Sequence, residues 1–260
     1  MARYLPALAI LLAAAAAAPA EDKKVVIRWH GQSFFEIIST KGTRIVIDPH
    51  AIEEYARPMV KADVVLMTHF HVDHTRTDAI TNIKQAKQIN ALKRGEGGRG
   101  EEWNVLDEKF KDVRIQTVGT YHDDMAGTQR GKNGVFVLDV DGLRIVHLGD
   151  LGHTLNREQL RKLGKVDVLM VPVGGVYKLT GREAQKVVAQ VKPTRYVLPM
   201  HYGTTVYRDL LDLSYFLDDQ HMGTVQRLRT TNELDIDPAS EPPKEPVVAI
   251  LNWEKKGKKD

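Results

Sequence analysis

The chain has 260 residues, 27% of them charged and 42% hydrophobic, and 37 Lys+Arg against 34 Asp+Glu leave a formal net charge of +3 at pH 7. So even a balance gives no argument for nucleic acid or an anionic membrane surface as the partner. The absence of cysteine excludes disulfides and any zinc site built on thiolates, so stability must come from apolar burial and from bound metal.

Arg3 is the only charged side chain before Glu21, Leu5 to Ala18 is apolar apart from Pro6, and Ala18-Pro19-Ala20 has the small-x-small form of a cleavage site. Residues 1–20 therefore read as a secretory signal peptide, which predicts export to the periplasm or the exterior. An uncleaved anchor is the alternative, but the apolar run of about 14 residues is shorter than the roughly 18–20 a spanning helix needs. No later stretch is long and apolar enough to span a membrane. Residues 21–260, about 240 in number, suffice for one large domain with a core of its own. A Lys-rich tail over 254–260 ends it.

Val25–Trp29, Phe34–Ile38 and Arg44–Ile47 are rich in β-branched and aromatic residues and read as three strands of an antiparallel meander. Asp48-Pro49 stops the third. Ala62–Met67 reads as a short buried strand. The spacing of Ala79, Ile80, Ile83 and Ala86 predicts a helix capped by Thr77 or Asp78. Residues 93–102 read as a Gly-rich charged loop, with no Gly-Lys-Ser/Thr to make it a phosphate cradle. Further strands are predicted over 113–118, 134–140 and 143–148, the last two joined by the tight-turn pair Asp141-Gly142. A short helix follows over 157–163, then a strand over 166–171, a helix from Thr180 or Gly181 through Val191, and a strand over 195–199. Residues 206–217 read as a helix and Val247–Leu251 as a last strand. This order favours two mixed sheets packed face to face with helices outside.

Metal-binding side chains recur at one kind of place. Thr68-His69-Phe70-His71-Val72-Asp73-His74-Thr75 puts three imidazoles and a carboxylate directly after the strand at 62–67. His122, Asp150 and His201 each follow another apolar strand. His69 and His71, two apart in extended chain, point the same way, whereas Asp73 and His74 come after the chain turns and can face a second position. Five His and two Asp are enough for two metals if one carboxylate bridges.

His69-x-His71-x-Asp73-His74, then His122, Gly149-Asp150 and His201 in order, resembles the metallo-β-lactamase superfamily over roughly Val25 to Tyr202. Trp29-His30-Gly31-Gln32-Ser33, Asp48-Pro49 and Pro199-Met200-His201-Tyr202-Gly203 are most similar to its branch of general metal-dependent hydrolases, which includes the ascorbate-phosphate lactonase-like proteins. The resemblance implies a four-layer αββα sandwich of two mixed β-sheets (α/β class) with its site at one edge. It implies His69, His71 and His122 on one metal, Asp73, His74 and His201 on a second, Asp150 bridging, and Asp48 orienting the His cluster from behind. The absence of Cys sets the chain apart from the cysteine-bearing lactamase subclasses, and an Asp at position 150 is typical instead of the thioesterase, lactonase and phosphodiesterase branches.

The implied cofactors are two divalent metal ions, Zn²⁺ first and Mn²⁺ or Fe²⁺ as alternatives, since imidazole and carboxylate suit all three. Such a pair can hold a bridging hydroxide that attacks a carbonyl or a phosphorus. The function expected is thus hydrolysis of an ester, lactone, amide or phosphodiester bond in a small-molecule substrate, with Asp150 bridging and Asp73 either a plain ligand or also a proton carrier to the leaving group. Two alternatives stay open: a phosphodiesterase acting on nucleic acid or phospholipid head groups, and a metal-binding protein without catalysis. His30 and His153 fall in loops near the ligands and are candidates for the substrate pocket. Tyr121, Tyr177, Lys178 and Tyr202 also border ligand loops, where they either pack or orient an anionic substrate. His147 reads as a hydrogen-bonded interior residue.

Overall fold

The structure is a computed structural model that describes residues 24–218 and 224–253. The signal-like segment 1–20 and the tail 254–260 lie outside the described residues. In chain order the strands are β1 (Val25–Trp29), β2 (Phe35–Ile38), β3 (Arg44–Ile47), β4 (Val64–Met67), β5 (Lys87–Asn90), β6 (Leu92–Arg94), β7 (Glu101–Trp103) and β8 (Asp107–Phe110). They continue with β9 (Val113–Tyr121), β10 (Lys132–Val140), β11 (Leu143–His147), β12 (Val168–Pro172), β13 (Tyr196–Met200), β14 (Thr224–Leu228), β15 (Glu233–Ile236) and β16 (Val247–Leu251). The α-helices are α1 (Arg157–Leu163), α2 (Gly181–Val191) and α3 (Ser214–Leu217). No helix among the described residues is long and apolar enough to cross a membrane.

A six-stranded sheet has the order β15-β1-β2-β3-β4-β5. β1 alternates as a half-buried strand should, with Val25, Ile27 and Trp29 buried and Val26 and Arg28 partly exposed. It pairs antiparallel with β2, and β2 with β3, in the expected meander, while β4 runs parallel to β3 and β5 to β4. The eight-stranded sheet has the order β14-β16-β13-β12-β11-β10-β9-β8. β8 to β11 are antiparallel neighbours; β11, β12, β13 and β16 run parallel. Side chains of both sheets, among them Ile27, Ile45 and Leu66 on one and Val137, Ile145 and Leu169 on the other, share a single core.

β12 is buried along its whole length, as a parallel strand covered on both faces must be. α2 is the crossover from β12 to β13 and packs on β12, and α1 packs on β9. Both helices begin in capping boxes, Asn156 with Gln159 and Thr180 with Glu183. The architecture is therefore the expected mixed α/β sandwich of two sheets flanked by helices.

Three local readings are corrected. Residues 77–86 form no α-helix. A 3₁₀ turn at Thr77–Ala79 and further turns lead instead into β5. The apolar residues still face inward, because Ala79 and Ile80 pack with Phe34, Val46, Val65 and Met67 on the outer face of the six-stranded sheet. Asn82 holds this path by bonding the Ala62 N–H (2.9 Å) and carbonyl (2.8 Å), a side-chain competition that disfavours helix. The helix expected over 206–217 shrinks to α3, since Gly203 N–H donates to Leu211 O and Leu211 N–H to Gly174 O (both 2.8 Å). Residues 93–102 are paired as a β6–β7 hairpin around their glycines. The polar strands β8, β14 and β15 carry too weak an apolar pattern to be read from sequence.

Candidate metal centre

β9 and β11 both run antiparallel to β10, so they end at the same edge of the eight-stranded sheet; β12 and β13, parallel to β11, end there too. His122, Asp150 and His201 sit within three residues of the ends of β9, β11 and β13. The loop after β4 brings His69, His71, Asp73 and His74 to that edge from the facing sheet. Two contacts fix the approach of the sheets. Gly134 N–H of β10 donates to Thr68 O (3.0 Å), and a Cβ on Gly134 would lie 2.2 Å from Ala91 Cβ. Gly149 turns in the left-handed region at φ +57°, where a Cβ would meet Asn133 Oδ1 at 2.4 Å.

Ligand atoms gather into three overlapping groups: His69, His71 and His122; His69, His74 and Asp150; and Asp73, His74 and His201. All seven sequence-predicted ligand candidates are thus brought to one place. Asp150 Oδ2 lies at the centre, 3.1 Å from His122 Nε2 and 3.4 Å from both His74 Nε2 and His201 Nε2. Asp73 Oδ2 is 3.5 Å from His74 Nε2 and 3.6 Å from His201 Nε2. His69 Nε2 and His71 Nδ1 are 3.0 Å apart, close to the roughly 3.3 Å expected of two nitrogens on one tetrahedral ion.

The donor set passes a second test. Buried polar atoms are nearly always hydrogen-bonded, yet His74 Nε2, His122 Nε2 and Asp150 Oδ1 have no hydrogen-bond partner. Divalent ions would satisfy the two imidazole nitrogens at once. Protonation points the same way. Burial, with neighbouring histidines adding to it, lowers the proton affinity of His69 well below the ordinary imidazole value and lowers that of His71. Burial also takes His201 down to about 4, so all three present neutral lone pairs. Burial opposes charge on His74 as well, but Asp150, Asp73 and Asp48 outweigh it and hold its proton affinity well above ordinary. Burial penalises ionised Asp150, yet His201, Lys178 and His74 keep it far below the usual carboxylate range. Asp73 is held low by His74 and His201 against its own burial. Buried carboxylates need cationic partners, and in the metal-free chain His74 and Lys178 fill that place beside Asp150.

Surrounding side chains aim the ligands. Asp48 accepts from Thr68 N–H (2.8 Å), Thr68 Oγ1 (2.7 Å) and His74 Nδ1 (2.9 Å), which turns His74 Nε2 toward the centre. Asp48 (φ 48°) and His201 (φ 51°) both occupy the left-handed region, the kind of strained backbone that collects at functional sites. Sequence reasoning missed Asn133, whose Oδ1 accepts Asp150 N–H at 3.0 Å and whose Nδ2 donates to Thr120 Oγ1 and Leu148 O. His147, fully buried, donates from Nε2 to Ser33 O (3.0 Å) and accepts Gly149 N–H at Nδ1 (3.1 Å), tying the Asp150 turn to the other sheet. Lys178 is the largest surprise. Its Nζ lies 2.8 Å from Asp150 Oδ2 and 2.5 Å from His201 Nε2. The sequence marked Lys178 only as a neighbour of the ligand loops, placed there to pack or to orient an anionic substrate.

Beside His69 and His71 opens a cleft of about 430 Å³ whose charged lining is Arg94, Arg130, Lys132 and Glu101. Arg94 stacks on Phe70 (4.9 Å) and Arg130 on Tyr177 (4.7 Å). A larger cavity of about 660 Å³, between Tyr202, Leu213 and Trp253, contains none of the seven ligand candidates. His30 and His153 line neither. His30 packs on Phe34 and faces Glu36 (3.8 Å). His153 accepts Tyr121 N–H (3.1 Å) and donates to Thr154 O (2.7 Å).

Against known proteins, the family model described as the beta-lactamase superfamily domain matches residues 26–201. The UPF0173 protein of Pyrococcus abyssi (strain GE5 / Orsay) is 33% identical over 186 residues, which cover 68% of this chain and 83% of that one. The UPF0173 metal-dependent hydrolase of Thermococcus onnurineus (strain NA1) is 32% identical over 195 residues, 69% of this chain and 85% of that one. Among solved structures, a metallo-β-lactamase superfamily protein of Thermotoga maritima superposes with a TM-score of 0.64 at 30% identity, covering 87% of this chain and 98% of that one.

Proposed function

The chain belongs to the beta-lactamase superfamily domain family, and from that premise we propose that it is a metal-dependent hydrolase of a small anionic ester, lactone, amide or phosphodiester. One observation carries the reading: a single carboxylate oxygen of Asp150 stands 3.1–3.4 Å from three imidazoles contributed by three separate segments. His69, His71 and His122 would hold one divalent ion and Asp73, His74 and His201 a second beside it. Zn²⁺ suits these donors, as do Mn²⁺ and Fe²⁺. Bound there, such ions supply Lewis acidity toward water and toward the scissile oxygen.

The chain's own residues do the rest. Asp48 and Asn133 hold His74 and Asp150 in place through the hydrogen bonds described above. Asp73, with its side chain 37% exposed, is the carboxylate of the group that reaches solvent, and so the one suited to pass a proton between water and the leaving group. Arg94, Arg130 and Lys132 outnumber Glu101 in the adjoining cleft, which supports an anionic substrate. Its volume suits a small molecule rather than a polymer. Phosphodiester chemistry on nucleic acid or lipid head groups is the second reading, favoured by the same cations.

The test is a metal-loaded protein offered paired chromogenic substrates, anionic and neutral, of the phosphodiester, lactone and thioester classes. Turnover should be lost in both His69→Ala and Asp150→Ala. Arg130→Ala should raise KM for the anionic member of a pair about tenfold, or roughly 1.4 kcal/mol, and leave the neutral member unchanged. Full metal binding without turnover of any substrate would replace the enzyme reading by a non-catalytic metal-binding protein.

We also propose that residues 21–260 are one hydrolase domain exported by the signal-like segment 1–20. The apolar run and the Ala18-Pro19-Ala20 site support this. The mature N-terminus in an exported fraction should be Glu21; an intact cytoplasmic chain would refute it.

A further inference from the structure

We propose that Lys178 stands in the second metal position, so that the chain binds one divalent ion tightly on His69, His71 and His122 and takes another only by displacing this side chain. The inference rests on the metal-centre reading above and deepens it by making the two positions unequal.

The placement of Lys178 is built into the fold. A lysine ordinarily keeps its ammonium in water, yet this side chain is 1% exposed and its Nζ is shared between Asp150 Oδ2 (2.8 Å) and His201 Nε2 (2.5 Å). The backbone on either side is pinned. Leu179 N–H donates to Leu151 O (3.2 Å), one residue beyond Asp150, and Gly175 N–H donates to Leu179 O (3.0 Å). Thr180 then caps α2. Arg130, stacked on the adjacent Tyr177 at 4.7 Å, covers the loop.

An ion bonded to His201 Nε2 and Asp150 Oδ2 would share both partners of Nζ and lie in contact with it. Two cations so placed in a buried site repel strongly. No such conflict exists at the other position. Among the described residues, no Lys or Arg nitrogen is hydrogen-bonded to His69, His71 or His122. With one ion bound on those three histidines, the ammonium supplies the counter-charge that buried Asp150 needs.

The experiment strips the full chain of metal and titrates it with Co²⁺, following ligand-field absorption, in wild type and Lys178→Met. Wild type should show two binding events whose dissociation constants differ at least about tenfold, and Lys178→Met should tighten the weaker event by about tenfold or more. His201→Ala should abolish the weaker event and keep the stronger. After dialysis, mass-spectrometric metal counts should be about one ion per wild-type chain and about two per Lys178→Met chain. Two ions held equally by wild type and variant would overturn the inference while leaving the metal centre intact. Failure of both to hold any metal would overturn the metal-centre reading itself. Should circular dichroism show that Lys178→Met does not fold, the wild-type titration decides alone, since one unresolved event of two equal ions refutes the proposal.

Discussion

Asp48 shows how a single buried carboxylate can govern a site from behind its ligand candidates. Its two oxygens accept from Thr68 N–H, Thr68 Oγ1 and His74 Nδ1, so it sets both the start of the ligand loop and the orientation of one imidazole. Asp48→Asn keeps the shape but replaces an acceptor oxygen by a donor. Metal affinity should fall about ten- to a hundredfold, read by competition with a coloured chelator, with the fold retained by circular dichroism. At this scale the sequence was informative wherever chemistry and spacing coincided. His69, His71, Asp73 and His74 are close together along the chain, and His122, Asp150 and His201 each follow an apolar run. Lys178 was legible only as a neighbour of the ligand loops and Asn133 not at all, because a Lys 28 residues from its carboxylate and an Asn inside a strand become partners of Asp150 only after β10, β11 and β12 are laid side by side. His30 and His153 had the right chain neighbourhood, but their rings turn to Glu36 and to backbone instead.

Elements with a clear period were readable, and those held by side-chain competition were not. β1 to β4 and β9 to β13 bury alternating or continuous apolar faces, and α2 combines a capping box with a buried stripe of Ala184, Val187 and Val188. The segment 77–86 carried helical spacing but spends it on turns, because Asn82 binds the Ala62 backbone. β14 exposes nearly every residue and leaves no pattern to find. The junction between β4 and β10 is where an element-level change should matter most. Gly134 has no left-handed φ to excuse its glycine; only the contact with Ala91 and Thr68 O requires it. Gly134→Ala should therefore destabilise the protein by about 1–3 kcal/mol through overpacking, measured as a shift of the urea midpoint at constant slope. An unchanged midpoint would mean that the sheets part there without cost.

For the molecule as a whole, two buried groups outside the ligand set, His50 and Glu36, add their own pH response to that of the ligand residues in the metal-free protein. Burial holds His50 down to about 4 against an ordinary 6.5, with Nε2 donating to His30 O and Nδ1 accepting Ile52 N–H. Between those values the unfolded chain binds more protons than the folded one, so stability falls as pH drops from 6.5 toward 4, by about 3 kcal/mol for the full shift. Burial opposes ionisation of Glu36, but His30 and Arg28 hold it at about 2 against 4.5. Its contribution is present above 4.5 and is lost as pH falls from there toward 2. Urea midpoints of the chelated protein should trace both windows, and the His50→Asn curve should fall less steeply than that of wild type between pH 6.5 and 4. The arrangement of the ligands has a mechanical consequence as well. His69, His71, Asp73 and His74 ride on the six-stranded sheet, while His122, Asp150 and His201 ride on the eight-stranded one. Metal held between them is a crosslink of almost no length, placed at one margin of a chain that has no cysteine to make any other. Chelation should open that margin like an unclasped book: amide exchange over 68–75 and 149–152 should accelerate while β1 to β3 keep their protection. Proteases would then find the 123–131 loop first, so metal supply would set how long the protein survives as well as how fast it works.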